Sequence, residues 1–230
     1  LNILAAAAAG WLSMQTLQKA PALERRGRQA LSRAAGRPWL VAAFLSGFCL
    51  LSLEVVWFRI LLLFVVGHSM AFALMLAVVL SGIALGGLAA SSWLRFSPDA
   101  YRFASPVAFS AGVLCVISYF VFRLVIGGFT AYGIIKALDI LKVGMPLMFP
   151  VSFLSGVFFT FVGAGLRGNL ASEMETAGVL TLANTAGAAL GAVVGGFVLL
   201  PVLGIERSFF LIAVLYGGLG TLLLLGGQAR

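Results

Sequence analysis

LSGFCLLSLEVVWFRILLLFVVGHSMAFALMLAVVLSGIALGG, residues 45–87, holds two long apolar runs separated only by a short polar step at His68 and Ser69. A helix needs about 20 apolar residues to cross a bilayer core of roughly 30 Å, and these runs, extended to 39–66 and 69–94, are long enough. They lack the alternation of a barrel strand, and lipid cannot satisfy the edges of an open sheet. The stretch therefore predicts two transmembrane helices.

The composition of the whole chain also indicates a membrane protein. Of the 230 residues, 62% are hydrophobic and only 10% are charged, and the mean hydropathy is +1.12. So few polar side chains cannot cover a soluble globule of this size. Four further apolar runs lie near 103–126, 145–166, 177–200 and 208–225. The predicted fold class is all-α, a multi-pass transmembrane bundle of about six helices with an N-terminal helix stub.

Three regions are predicted along the chain. Residues 1–14 resemble the end of a truncated transmembrane helix, residues 15–38 form a basic loop, and residues 39–230 form the six-helix domain. Because cytoplasmic loops carry an excess of Lys and Arg, the basic loop is predicted to face the cytoplasm. This topology also accounts for the net charge of +8, so nucleic acid is not expected as a partner. The loop's cations are Lys19, Arg25, Arg26, Arg28, Arg33 and Arg37.

The segment near 134–143 has charged residues three apart, at Lys136, Asp139 and Lys142, with apolar residues on its other side. This spacing is typical of a short amphipathic helix, here predicted to lie on the outer membrane surface. A helix packed on the bundle explains the pattern equally well.

Glycines form stripes on two of the predicted helices. Gly187, Gly191 and Gly195 are four apart, with Asn184 one turn earlier, and the helix of residues 69–94 has Gly82 and Gly86. Glycine lets two backbones approach closely, and an asparagine amide can hydrogen-bond across helices. The stripes therefore predict helix packing; the alternative is a substrate path lined by bare backbone.

Glu54 is the acid predicted to lie well inside a span, where a carboxylate is costly unless paired, protonated or near water. Arg59 is five residues away and so lies on a different face of the helix. Arg123 is predicted to reach a similar depth, and we hypothesise a Glu54 to Arg123 contact between helices. A proton relay or a cation site at Glu54 is the functional alternative.

No catalytic or metal site is predicted. Cys49 and Cys115 lie singly in apolar runs, and one histidine, His68, cannot build a catalytic triad with such sparse acids. Residues 163–168, GAGLRG, match the dinucleotide pattern but end a predicted membrane helix instead of following a strand. No cofactor is expected in this chain.

Two stretches resemble a known family. Residues 45–87 carry a Glu-x-x-Trp-x-Arg signature at Glu54, Trp57 and Arg59, and LANTAGAALGAVVGGFVLLPVLGIERS, residues 182–208, carries a second pattern. Together they resemble the membrane domain of bacterial fused transporter-like/spermidine synthase proteins. The resemblance implies a multi-pass domain of the bacterial inner membrane, joined to a soluble domain with the polyamine aminopropyltransferase fold.

Three functions remain open from the sequence. The chain can be the membrane anchor or scaffold of a spermidine-synthase-like protein whose catalytic domain lies outside it. It can instead be an accessory subunit of a larger membrane complex, or a transporter of polyamine or another small solute. The expected partners are the lipid bilayer and either other membrane subunits or a fused soluble domain.

Overall fold

The computed structural model describes residues 25–65, 68–127, 136–167 and 173–228, and these residues build an all-α fold. The elements are α1 (Arg25–Leu61), α2 (His68–Phe96), a 3₁₀ helix (Pro98–Phe103), α3 (Ala104–Ile126), α4 (Ala137–Arg167), α5 (Glu173–Val194), a π-helical turn (Gly195–Leu199) and α6 (Leu200–Gln228).

Within the described residues, five helical segments are long and apolar enough to cross a membrane, so the chain is a multi-pass membrane-type protein as predicted. The predicted number of six needs correction to five. α5, the π turn and α6 follow one another without a loop, and Glu173–Gly226 counts as one segment of 54 residues. Most residues between the predicted runs 177–200 and 208–225 are helical; the non-helical backbone of α6 is at Gly204, with φ 75° and ψ 179°.

The first helix begins earlier than predicted. The expected stub, residues 1–14, and residues 15–24 of the basic loop lie outside the described residues. Residues 25–38, predicted as loop, belong to α1, which continues through Pro38. A proline is tolerated there because the neighbouring helices of a membrane bundle help to satisfy the freed backbone groups.

The predicted amphipathic segment lies at the start of α4. Residues 134 and 135 are outside the described part of the chain, and residues 137–143 are the first two turns of α4. Ile140 and Val143 are buried, and Asp139 pairs with Lys142 at 3.2 Å on the other side. Leu138, on the predicted apolar side, is exposed and Leu141 is half-buried, so the buried side of these turns is formed by Ile140 and Val143 instead, in a helix that continues into the bundle. Its position at the outer membrane surface stays a prediction.

The helices pair over long distances in sequence. α1 packs against α5, α2 against α4, and α3 against α6. α4 also contacts α1 and α3, which makes it a central helix. The largest fully buried side chains of this core are aromatic, among them Trp57, Phe158, Phe161, Phe209 and Tyr216.

The long segment Glu173–Gly226 reverses its direction within the bundle. A methyl group placed on Gly187 would strike the carbonyl oxygen of Phe44, near the middle of α1. A methyl group on Gly226, much further along the chain, would lie 3.0 Å from Pro38, nearer the start of α1. α5 therefore runs parallel to α1 and α6 returns toward the start of α1. The turn is at Gly204, whose positive φ is a conformation that glycine adopts without the penalty of a Cβ atom.

Candidate functional site

The glycine stripe of α5 lies directly on the backbone of α1. A Cβ atom on Gly187 would collide with the carbonyl oxygen of Phe44, and one on Gly191 with that of Phe48. One turn further on, a Cβ atom on Gly195 would lie 3.1 Å from the Cα atom of Ser52. Each step of four residues on α5 thus matches a step of four on α1, as in two parallel helices in backbone contact.

A buried hydrogen bond accompanies this contact. The hydroxyl of Ser52 donates to the carbonyl oxygen of Gly191 at 2.8 Å. Asn184 lies one turn earlier, where a Cβ atom on Gly47 of α1 would meet its backbone oxygen and approach its Oδ1 to 2.9 Å. The asparagine is therefore at the interface, while its predicted amide hydrogen bond across the helices stays a prediction.

The glycines of α2 and α4 make an equivalent contact. A Cβ atom on Gly86 would strike the carbonyl oxygen of Phe153, and one on Gly156 the carbonyl oxygen of Ile83. A Cβ atom on Gly82 would come within 2.8 Å of Ser152. α2 and α4 are therefore also parallel and also in backbone contact.

The two interfaces repeat the same geometry. In α1, Phe44 and Gly47 face residues 187 and 184; in α4, Phe153 and Gly156 face residues 86 and 83. Both pairs of residues belong to the tetrapeptide Phe-Leu-Ser-Gly, which occurs at 44–47 and again at 153–156. The identity of the two tetrapeptides is visible in the sequence itself, whereas the contacts they make are visible only in the structure.

The repeat is inverted. Exchanging α1 with α4, α2 with α5 and α3 with α6 converts the α1 to α5 contact into the α4 to α2 contact and leaves α3 paired with α6. α1 and α4 run in opposite directions, since Trp39, near the start of α1's apolar part, meets Gly165 near the end of α4. The described helices thus form two three-helix units of opposite direction.

The three signature residues of the family resemblance have different surroundings. Trp57 is fully buried, and within the described residues its indole Nε1 has no hydrogen-bond acceptor. Glu54 is half-buried and Arg59 is exposed. The structure thus makes the tryptophan part of the core and leaves the arginine at the surface.

The hypothesised contact between Glu54 and Arg123 stays a prediction. Ion pairs seen in the described part of the chain include Asp99 with Arg102 and Asp139 with Lys142. Arg123 is exposed next to Phe122, whose ring packs against Phe64 just beyond the end of α1.

A buried hydrogen bond between polar side chains also lies within the second unit, between α4 and α6. The hydroxyls of Ser155 in α4 and Tyr216 in α6 are hydrogen-bonded at 3.0 Å, and both residues are buried. By contrast, the hydroxyl of Ser152, one turn earlier in α4, is buried and has no partner within the described residues.

A crevice of about 580 Å³ lies between α2, α4 and α5. Arg95, in the last turn of α2, and Arg167, in the last turn of α4, line it together with Glu173 at the start of α5. The sequence alone does not bring these two arginines together, because nothing local shows that helix ends more than 70 residues apart would meet.

Among the described residues, no three His, Cys, Asp or Glu side chains form a group that could hold a metal ion. Comparisons with protein-family models, with curated proteins and with solved structures find no significant match to this chain. The resemblance to spermidine-synthase-like membrane domains therefore rests on the two sequence patterns alone.

Proposed function

We propose that this chain is a membrane-embedded scaffold, the anchoring domain of a larger bacterial inner-membrane protein or complex. The observation that carries the proposal is the pair of glycine interfaces, which hold four helices in backbone contact. Close backbone packing of this kind is a principal source of helix association in a bilayer. Moving an apolar helix face from lipid to another helix gains no hydrophobic free energy there. Such packing favours a rigid helical bundle to which a soluble domain or another subunit can attach.

The proposed partner is a soluble spermidine-synthase-like domain in the same polypeptide, or else a second membrane subunit. The resemblance of residues 45–87 and 182–208 to spermidine-synthase-like membrane domains supports the first. The apolar surface of the last span supports the second: only 17% of its most apolar 18 residues are buried within this chain.

Purification from native membranes tests the scaffold proposal. We expect the chain to resist alkaline carbonate and to elute in mild detergent with one stoichiometric soluble domain or subunit. Harsh detergent, which separates subunits, is the control. If mild detergent extracts the chain from native membranes as a monomer without a bound partner, the proposal is contradicted.

We further propose that the bundle crosses the membrane six times, with Glu173–Gly226 crossing twice. At 1.5 Å per residue a straight helix of that length would reach roughly 80 Å, more than twice the hydrocarbon thickness. The reversal at Gly204 and the return of Gly226 to Pro38 support two crossings. In this topology Arg37, Arg95, Arg102 and Arg167 share the cytoplasmic side, as the positive-inside rule favours.

Labelling of introduced cysteines tests this topology. With Cys49 and Cys115 replaced by alanine, we expect Arg37→Cys and Arg207→Cys to react with a membrane-impermeant reagent from opposite sides. A reporter fused after residue 230 should lie on the side of Arg37. A reporter on the opposite side would mean a single crossing by the last segment.

Transport of a small solute is the second candidate, and the inverted repeat is the observation that favours it. Secondary transporters are commonly built from such repeats, with binding residues near the middle of the membrane. Glu54, half-buried in α1, is the acid that would serve there. Uptake of labelled polyamine into proteoliposomes, abolished by Glu54→Gln and retained in Arg59→Gln, would establish transport; equal leakage with and without protein would exclude it for polyamines.

A further inference from the structure

We propose that the crevice between α2, α4 and α5 is a binding site for the phosphate headgroup of an anionic phospholipid. Arg95 and Arg167 are the phosphate ligands, and the acyl chains lie along the apolar wall beneath them. Basic pockets between transmembrane helices are a recurring form of lipid recognition.

The charge of the crevice favours an anion. Both arginines are exposed, and neither belongs to an ion pair within the described part of the chain. Glu173 lines the same crevice and offsets one of the two positive charges, so the lining keeps a net charge of one positive unit. A guanidinium group presents paired N–H donors that match phosphate oxygens, which makes arginine a better phosphate ligand than lysine.

The wall of the crevice matches the rest of a phospholipid. Phe159 lies eight residues before Arg167, and Leu180 lies seven residues after Glu173. At 1.5 Å per residue, both are about 11 Å further into the bundle than the charged end. The crevice thus changes from cationic to apolar over a distance suited to a headgroup and the first part of its chains.

The surroundings place the charged end at the membrane interface. Trp93, two residues before Arg95, stacks on Phe103, and Trp39, which meets Gly165 near the end of α4, contacts Tyr101 with ring centroids 6.0 Å apart. Trp and Tyr are enriched at headgroup level because one part of each ring system is apolar and the other polar. Within the described residues α2 and α5 do not pack against each other, and the crevice lies between them.

The test measures thermal unfolding of the full chain in a neutral detergent while lipid is added. We expect phosphatidylglycerol to raise the melting temperature in a saturable way and phosphatidylcholine to have little effect. The double variant Arg95→Gln/Arg167→Gln should need at least about tenfold more phosphatidylglycerol, since each lost charge-assisted hydrogen bond weakens binding by that order. Arg102→Gln, an exposed arginine at the same end but outside the crevice, should respond like the wild type.

Three results overturn the proposal: an unchanged response of the double variant, an equal response to phosphatidylcholine, or a full response to inorganic phosphate alone, which would make the ligand a free anion. If the double variant does not fold, Ala177→Trp tests the same site, because Ala177 lines the crevice from an exposed position on α5. We expect this filled crevice to lose the phosphatidylglycerol response, and a retained response would contradict the site.

Discussion

The α1 to α5 interface and the α2 to α4 interface begin with the same contact and continue differently. Gly187 on α5 and Gly86 on α2 hold equivalent positions, each against a phenylalanine carbonyl oxygen. The next two positions on α5, four and eight residues later, are Gly191 and Gly195. The corresponding positions on α2 are Ala90 and Leu94, and Leu94 lines the crevice.

This difference shows what a glycine stripe does in the bundle. Where it continues, the backbones stay in contact, and Ser52 can reach the carbonyl oxygen of Gly191. Where larger side chains follow, the interface ends in a crevice between helices. One repeated motif thus supports a closed interface between α1 and α5, and an interface between α2 and α4 that ends in an open crevice.

The largest expected effect is on the closed interface. Gly187→Leu would force a branched side chain into the backbone of α1, and we expect the free energy of unfolding to fall by about 3 kcal/mol. Gly178→Leu is the matched control, because no heavy atom lies within 4 Å of a Cβ atom at that exposed position of the same helix. Thermal and denaturant unfolding in detergent measure both variants. Equal losses would mean that close approach does not hold α5 in place.

A single methyl group tests the second interface. Gly86→Ala should cost about 2 kcal/mol, because the added methyl group overlaps the carbonyl oxygen of Phe153 and the helices must separate. Its neighbour Gly87→Ala is the control, since a Cβ atom there would lie 3.6 Å from the nearest side-chain atom, Thr160 Oγ1. If the two variants have the same melting temperature, the inferred equivalence of the two interfaces is wrong.

Replacing two buried serines by alanine should change the free energy of unfolding differently. Ser52→Ala removes the hydrogen bond to Gly191, and we expect a loss of about 0.6 kcal/mol, the average for such bonds in a membrane bundle. Ser152→Ala removes a buried hydroxyl that has no partner in the described structure, so stability should stay equal or rise. Unfolding curves recorded in one detergent give the difference. A larger loss for Ser152→Ala would reverse this comparison.

The smallest expected effect lies outside both interfaces. If Glu54 and Arg123 are in contact, Arg123→Gln should lower the free energy of unfolding by about 0.5 kcal/mol, as is typical of solvent-accessible ion pairs. Arg59→Gln, another exposed arginine close to Glu54 in sequence, controls for the loss of charge alone. An Arg123→Gln protein as stable as wild type would remove the hypothesised contact.

The fold class and most helix positions could be predicted from the sequence, because the length and hydropathy of a run are local properties. The spans near 69–94 and 103–126 agree closely with α2 and α3. The gap predicted between residues 200 and 208 contains the reversal at Gly204, but the sequence does not show that the residues on both sides of this glycine would stay helical. Glycine spacing marked faces suited to close packing without indicating which helix each face meets.

By itself, the sequence determined that this protein is an all-helical, multi-pass membrane-type chain, because too little polar surface is available for any other solvent. Tertiary structure alone decided that Phe44 meets residue 187, that Phe153 meets residue 86, and that Arg95 and Arg167 share one crevice. These contacts join residues far apart in the chain. They depend on the relative directions of the helices, which no property of a single helix specifies.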